Sequence, residues 1–387
     1  MSKPRVAVLG YIVRGPIGGM AWHHLHYVLG LARLGHDVFF VEDSDDYASC
    51  YHPGDGVLST DPAYGLRFAA EAFDRLGLAG RWAYHDAHTG RWLGPGAESI
   101  LGFLDTADLL LNVSGVNPLR PWLLDIPARA LIDTDPVFTQ IRHLTDPAAR
   151  ARAEAHTAFF TFGENLPAGR STVPDDGLPW LPTRQPVVLD VWPVVTPPAG
   201  GRFTTVMQWD SYPAREYAGQ HYGMKADSFE PFLTLPSCTG AELELALGGA
   251  SAPRDLLRSH GWHLRDPLEM TRDPWVYQDY IRGSQGEFAV AKHGYVVSRS
   301  GWFSERSACY LASGRPVLAQ ETGFTDWLPA GAGVLTFKDP VQAASGLDEI
   351  RRRPAMHARE ARLICEAFFD ATKVLPSLIE RALSPTR

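Results

Sequence analysis

The chain has 387 residues, 45% hydrophobic and 21% charged, with 36 Lys and Arg against 44 Asp and Glu for a formal net charge of −8. The apolar share excludes an intrinsically disordered chain, and the length predicts two or more globular domains. The acidic balance excludes a nucleic-acid coat or a polybasic membrane binder.

The first predicted elements form a βαβ unit. Val6-Ala7-Val8-Leu9 is a short apolar run of the kind buried in a parallel sheet, and a glycine-rich loop follows from Gly10 to Gly19. Ala21, Leu25, Val28 and Ala32 then recur on one helical face, Gly35-His36 stops the helix, and Val38-Phe39-Phe40-Val41 is the next strand, ending in Glu42-Asp43. Residues 63–80 and 145–156 have helical character, and strands are predicted at Leu109–Leu111, Ala130–Ile132 and Ala158–Phe162. Eight prolines and Gly200-Gly201 between about 164 and 203 predict an irregular connecting stretch. Beyond it, Phe203–Met207, Leu243–Leu247, Phe288–Ala291 and Pro316–Ala319 predict a second sheet. A helix is expected at Ser304–Ser313, and another from His357 to Leu383. Two open α/β domains joined by a proline-rich linker account for this order.

Cys50, Cys238, Cys309 and Cys365 are widely spaced with no CxxC pair, so neither a disulfide framework nor a zinc site follows. No apolar run reaches bilayer length, and the N-terminus lacks a signal peptide's apolar core, so a cytoplasmic protein with no membrane span is expected.

Three constellations carry chemistry. Gly15-Pro-Ile-Gly18-Gly19-Met-Ala-Trp-His23-His24 places glycines before a helix N-terminus, where free N–H groups favour an anion, and puts two imidazoles in the first turn, where either can act as a base. The spacing does not satisfy GxGxxG, which argues against a nicotinamide cofactor. Asp133-Thr-Asp135-Pro follows a predicted strand, where a carboxylate can face a ligand cleft or make a local turn. Lys292 through Val317 sets a polar loop before a helix: Ser298, Ser300 and the helix N-terminus are suited to cradle a diphosphate, Lys292 or Arg299 to neutralise it, and Glu305 to accept from hydroxyls. Asp43-Ser44-Asp45 has the form of a metal-binding DxD element but ends a strand, and is read as a solvated acidic turn with no metal role.

Gly18-Gly19-xxx-His23 with Leu34-Gly-His-Asp-Val38, and Glu305 through Ala312-Ser-Gly314-Arg-Pro316-Val317, together resemble the two signature segments of GT-B nucleotide-sugar glycosyltransferases, nearest the group-one and spore-maturation-like members. The resemblance implies two Rossmann-like domains facing across a cleft, at residues 1–198 for the acceptor and 199–365 for the nucleotide sugar, with a helix at 366–387 returning to the first domain. It places Gly18 and Gly19 near the donor phosphates, His23 near the reacting sugar and Glu305 on the ribose. Retaining members often carry a second glutamate eight positions earlier, where this chain has Val297. If the enzyme inverts, His23, His24, Asp133 and Asp135 are the candidate bases. The expected activity is transfer of a sugar from a nucleoside diphosphate to a hydroxyl-bearing acceptor, with no metal and no other cofactor. The alternatives are a sugar-nucleotide epimerase of the same fold and a non-catalytic nucleotide-sugar-binding protein.

Overall fold

The computed structural model describes residues 3–196 and 200–384, so the expected domain boundary between 198 and 199 falls outside the described residues. An eight-stranded sheet runs, in spatial order, Trp180–Pro182, Ala158–Thr161, Ala128–Asp133, Leu109–Val113, Val6–Leu9, Val38–Asp43, Trp82–Asp86 and Arg91–Leu93. Every pairing is parallel except the last. The inner strands are buried throughout, which is why they read as unbroken apolar runs rather than alternating ones. A second, six-stranded parallel sheet is ordered His263–Arg265, Leu243–Gly248, Phe203–Gln208, Gly286–Ala289, Val317–Gln320 and Val334–Phe337.

Each sheet reverses its strand order beside its first strand. In the first sheet the switch lies between Val6–Leu9 and Leu109–Val113, and in the second between Phe203–Gln208 and Gly286–Ala289. A parallel strand must cross over to its neighbour, so at these points the connections leave in opposite directions and open a crevice at the strand ends.

The helix Gly18–Arg33 holds the halves together. It is buried on nearly every side from Ala21 to Leu31, and Trp22 Nε1 donates to the Pro274 carbonyl of the second half at 2.6 Å. Gly18 abuts the same segment: a Cβ there would lie 2.3 Å from the Asp273 carbonyl oxygen. The close approach this glycine permits is therefore between domains.

The predicted helix from His357 to Leu383 is two helices, Pro354–Phe368 and Ala371–Leu383. The break at Phe369-Asp370 has a local cause. The Val187 N–H donates to the Phe369 carbonyl at 2.6 Å, the Ala371 N–H donates to the Val187 carbonyl at 2.9 Å, and the Asp370 side chain caps Thr372 at 2.8 Å. A passing strand takes the backbone groups that a continuous helix needs. Ala371–Leu383 is the segment that crosses back, and Leu375 packs on Gly30 of the first helix. No helix among the described residues is long and apolar enough to cross a membrane.

Candidate active site

A cleft of about 490 Å³ opens at the two switch points. Tyr11, Met20, His23, Ser114 and Asp135 line it from the first half, and Lys225, Lys292, Glu305 and Arg306 from the second. It joins both ligand-prone crevices in one space.

The helix begins at Gly18, so His23 projects from its second turn and not its first, and it is 6% exposed. Its Nδ1 lies 2.6 Å from Gln185 Oε1 and its Nε2 3.3 Å from Ser114 Oγ. Ser114, held at φ 63° in the left-handed region, also shares a 2.9 Å hydrogen bond with Thr134 Oγ1. Burial pushes the His23 pKa down, against a smaller upward pull from the Glu305 charge and the Gln185 hydrogen bond. His24 turns away into the core. It is fully buried beneath Gly10, where a Cβ would sit 2.5 Å from its Nδ1, and neither ring nitrogen has a partner among the described residues. Burial, then the neighbouring His23 and Arg14, hold His24 well below the ordinary imidazole range.

The two aspartates of the 133–136 turn do different jobs. Asp133 is buried, and its oxygens accept from the Asp135 N–H, Thr139 Oγ1, Gln140 Nε2 and Thr161 Oγ1 at 2.7–3.0 Å. Those bonds tie the end of Ala128–Asp133 to the following helix, and burial raises the carboxyl's pKa. Asp135 reaches across the cleft. Lys292 Nζ donates to it at 2.8 Å and to Tyr212 Oη at 2.8 Å, and the Tyr212 and Tyr295 hydroxyls also donate to the carboxylate. Burial works to raise the Asp135 pKa, but Lys292 and the two phenols outweigh it and hold the carboxyl below its usual range. As a base it is quenched in this arrangement, and as an ion pair it ties the domains.

Glu305 opens the helix Glu305–Ala312 with Ser304 as N-cap, its Oγ accepting from the Arg306 N–H at 3.2 Å. Two cations beside it have no counterpart in the sequence reading. Lys225 has its pKa lowered to about 7, first by burial and then by Arg306. Arg306 pairs with the fully buried Glu287 at 2.5 Å and donates to the Val206 carbonyl at 2.8 Å.

Ser298, Arg299 and Ser300 do not line the cleft. Ser298 Oγ donates to the Gly294 carbonyl at 2.6 Å inside its own helix, a bond typical of serine near a helix end. Arg299, at φ 48°, caps that helix and pairs with Asp326 at 3.1 Å, and Ser300 is buried beneath it. Gly19 lines the cleft under the Tyr277 ring, whereas Gly18 lies in the domain contact. The Asp43-Ser44-Asp45 turn is buried and not solvated as expected: Asp43 is committed to His85 at 2.7 Å and to the Arg120 guanidinium at 2.9 and 3.0 Å, and Asp45 to Arg152 at 3.3 Å.

No family model and no curated protein matches the sequence. Solved structures match over the whole chain. Sucrose-phosphate synthase from Thermosynechococcus elongatus is 12% identical, covers 99% of this chain and 100% of its own, and superposes with a TM-score of 0.55. An α-glucosyltransferase in complex with UDP and a 13-mer DNA gives 10% identity, 98% and 99% coverage and a TM-score of 0.57. HepE from Anabaena, in complex with UDP and glucose, gives 10% identity, 98% and 99% coverage and a TM-score of 0.54. At such identities the likeness is one of architecture, and it agrees with the two Rossmann-like sheets and returning helix described above. The chain has the GT-B fold.

Proposed function

We propose that this protein is a glycosyltransferase that moves a sugar from a nucleoside diphosphate to a hydroxyl-bearing acceptor. One observation carries the reading: Lys225, Arg306 and Glu305 of the second half face His23 of the first across a single cleft at both switch points. Cations on one wall suit a diphosphate, and a buried neutral imidazole on the other suits an acceptor hydroxyl. Proteins that share the fold, HepE and the α-glucosyltransferase, are described in complexes with UDP. On this reading the first half holds the acceptor and the second the donor.

The step that fits these groups begins with His23 taking the proton of the acceptor hydroxyl. The acceptor oxygen bonds to the anomeric carbon, the bond from that carbon to the diphosphate oxygen breaks, and the electron pair leaves with the diphosphate. Lys225 and Arg306 stabilise the charge that accumulates there. A thermal-shift screen of UDP-, dTDP-, GDP- and ADP-sugars tests the reading, since a ligand of the native state raises apparent stability. Failure of every nucleotide sugar to shift the melt would overturn it.

Three further outcomes follow. Glu305→Ala weakens nucleotide-sugar binding by about 1–3 kcal/mol, the cost of losing a charged acceptor for donor hydroxyls. Calorimetry on the folded variant checks this, and unchanged affinity removes Glu305 from the donor site. Turnover survives EDTA, because fixed cations do the work of a metal and Asp43 is already engaged by Arg120 and His85. Loss of turnover on chelation with recovery on manganese would reverse that. The third outcome concerns pH. Lys225 with a pKa of about 7 is charged below neutrality and loses its proton above it. Affinity for UDP-glucose, whose diphosphate does not titrate in this range, therefore falls as pH rises through 7 toward 9, and Lys225→Met removes most of that dependence. A pH-independent affinity in the unmodified protein would exclude Lys225 from the diphosphate.

A further inference from the structure

Gln185 lies in the proline-rich stretch, 162 residues from His23 in sequence, yet is 2% exposed and hydrogen-bonded to it twice. Its Nε2 donates to the His23 carbonyl at 3.2 Å and to the Pro186 carbonyl at 2.9 Å, so both amide protons are used. Rotating the amide would set its oxygen against those two carbonyl oxygens, which repel it, and would take their donor away. The amide orientation is thus fixed by its surroundings, and its oxygen faces His23 Nδ1 at 2.6 Å. An amide oxygen only accepts, so at this distance Nδ1 must carry the proton. A neutral imidazole has one N–H, and Nε2, beside Ser114 and toward the cleft, is left with its lone pair.

We infer that Gln185 is a positioning residue that fixes the tautomer of His23, so that the ring presents to the cleft a proton acceptor and not a donor. The inference rests on the proposed role of His23 and sharpens it, because a donor at Nε2 could bind a sugar oxygen but could not deprotonate an acceptor. It also gives the linker a chemical task. The stretch from Gln185 to Val188 runs beneath the first helix, where the Val188 N–H donates to His26 Nδ1 at 3.1 Å, so the same strand sets the protonation pattern of two histidines in that helix. The titratable groups facing His23 are His24, His26 and Tyr27 on its own helix and Glu305 from the opposite domain. Burial lowers the pKa of His24 and His26 and raises that of Tyr27, and among the described residues Gln185 is the hydrogen-bond partner of Nδ1.

Two measurements test this. Nitrogen-15 NMR of the resting, full-length protein, with the His23 resonances identified by their loss in His23→Ala, is expected to show a protonated Nδ1 and an unprotonated Nε2 at pH 8. The reverse pattern overturns the inference whatever the enzyme does. The pH profile of kcat is the second. Gln185→Glu keeps an acceptor at Nδ1 and adds a negative charge, which favours the imidazolium and raises the His23 pKa by roughly 1–3 units. Activity requires the neutral ring, so the acid limb moves to higher pH by that amount, with the alkaline plateau largely kept. Gln185→Leu lowers kcat by about tenfold or more, as the ring loses its preferred tautomer. A Gln185→Glu variant that folds and turns over with an unmoved acid limb also overturns the inference. Failure of the underlying reading looks different: His23→Ala would then turn over normally, while the resting tautomer would still be the one described.

Discussion

Replacing His23 with alanine lowers kcat by about 10²-fold or more while affinity for the nucleotide sugar changes little. The asymmetry follows from where the groups stand. The cations assigned to the diphosphate, Lys225 and Arg306, belong to the second half of the chain, whereas His23 sits on the opposite wall beside Ser114 and Gln185. Removing the imidazole takes away a proton acceptor that acts as the acceptor oxygen attacks, and leaves the donor's electrostatic seat untouched. Its burial already depresses the pKa, so the neutral form dominates at physiological pH and the full penalty is seen there. Steady-state kinetics with both substrates varied, together with calorimetric titration of the donor, separates the two quantities. A kcat within a few-fold of the unmodified protein would sink the assignment. Asp135 would inherit the role only by giving up Lys292 and two tyrosines, and Asp133 only by abandoning the bonds that close its turn.

The largest stability effect is expected at Arg306. Arg306→Leu destabilises the fold by about 3–5 kcal/mol, because it strands the carboxylate of Glu287 in the core. Glu287 is 0% exposed, Arg306 is its ion-pair partner at 2.5 Å, and its second oxygen has no hydrogen-bond partner among the described residues. The stranded charge, more than the lost attraction, sets the size of the effect. Pairing the change with Glu287→Leu should recover most of the loss, since two apolar groups replace two desolvated charges. Urea unfolding of the single and double variants measures both. A single variant within 1 kcal/mol of the parent, or a double variant no better than the single, would show that the pair is not what holds that layer together.

Much of the architecture was legible from runs that bury both faces of a strand, such as Val6–Leu9 and Val38–Val41, and from the glycine loop and helix between them. Strands with mixed composition were not. Trp82–Asp86 ends in a histidine and an aspartate that hydrogen-bond with Asp43 and Thr89, and Trp180–Pro182 ends on a proline tolerable only because it lies on the sheet edge. The site divided in the same way. His23, Asp135, Lys292 and Glu305 stood in patterns that invite chemistry, and the cleft gathers them. Ser298 and Ser300 had the right composition for a phosphate loop, but their hydroxyls face the carbonyl oxygens of their own helix, a destination no spacing rule distinguishes. Gln185 was hidden by prolines that mark a connection and say nothing of where it passes. Lys225 does leave a signal in the composition. The chain has only five lysines among its 36 basic residues, and two of the five, Lys225 and Lys292, line the cleft.

The helix Gly18–Arg33 has a mechanical consequence. Its N-terminal end is wedged under Asp273 and Pro274, and its flank lies against the returning helix. A change of angle between the two halves would have to break this helix's contacts with Asp273 and Pro274 as well as the Asp135–Lys292 pair across the cleft. His23, in the second turn of that rod, is thereby held in register with both halves at once.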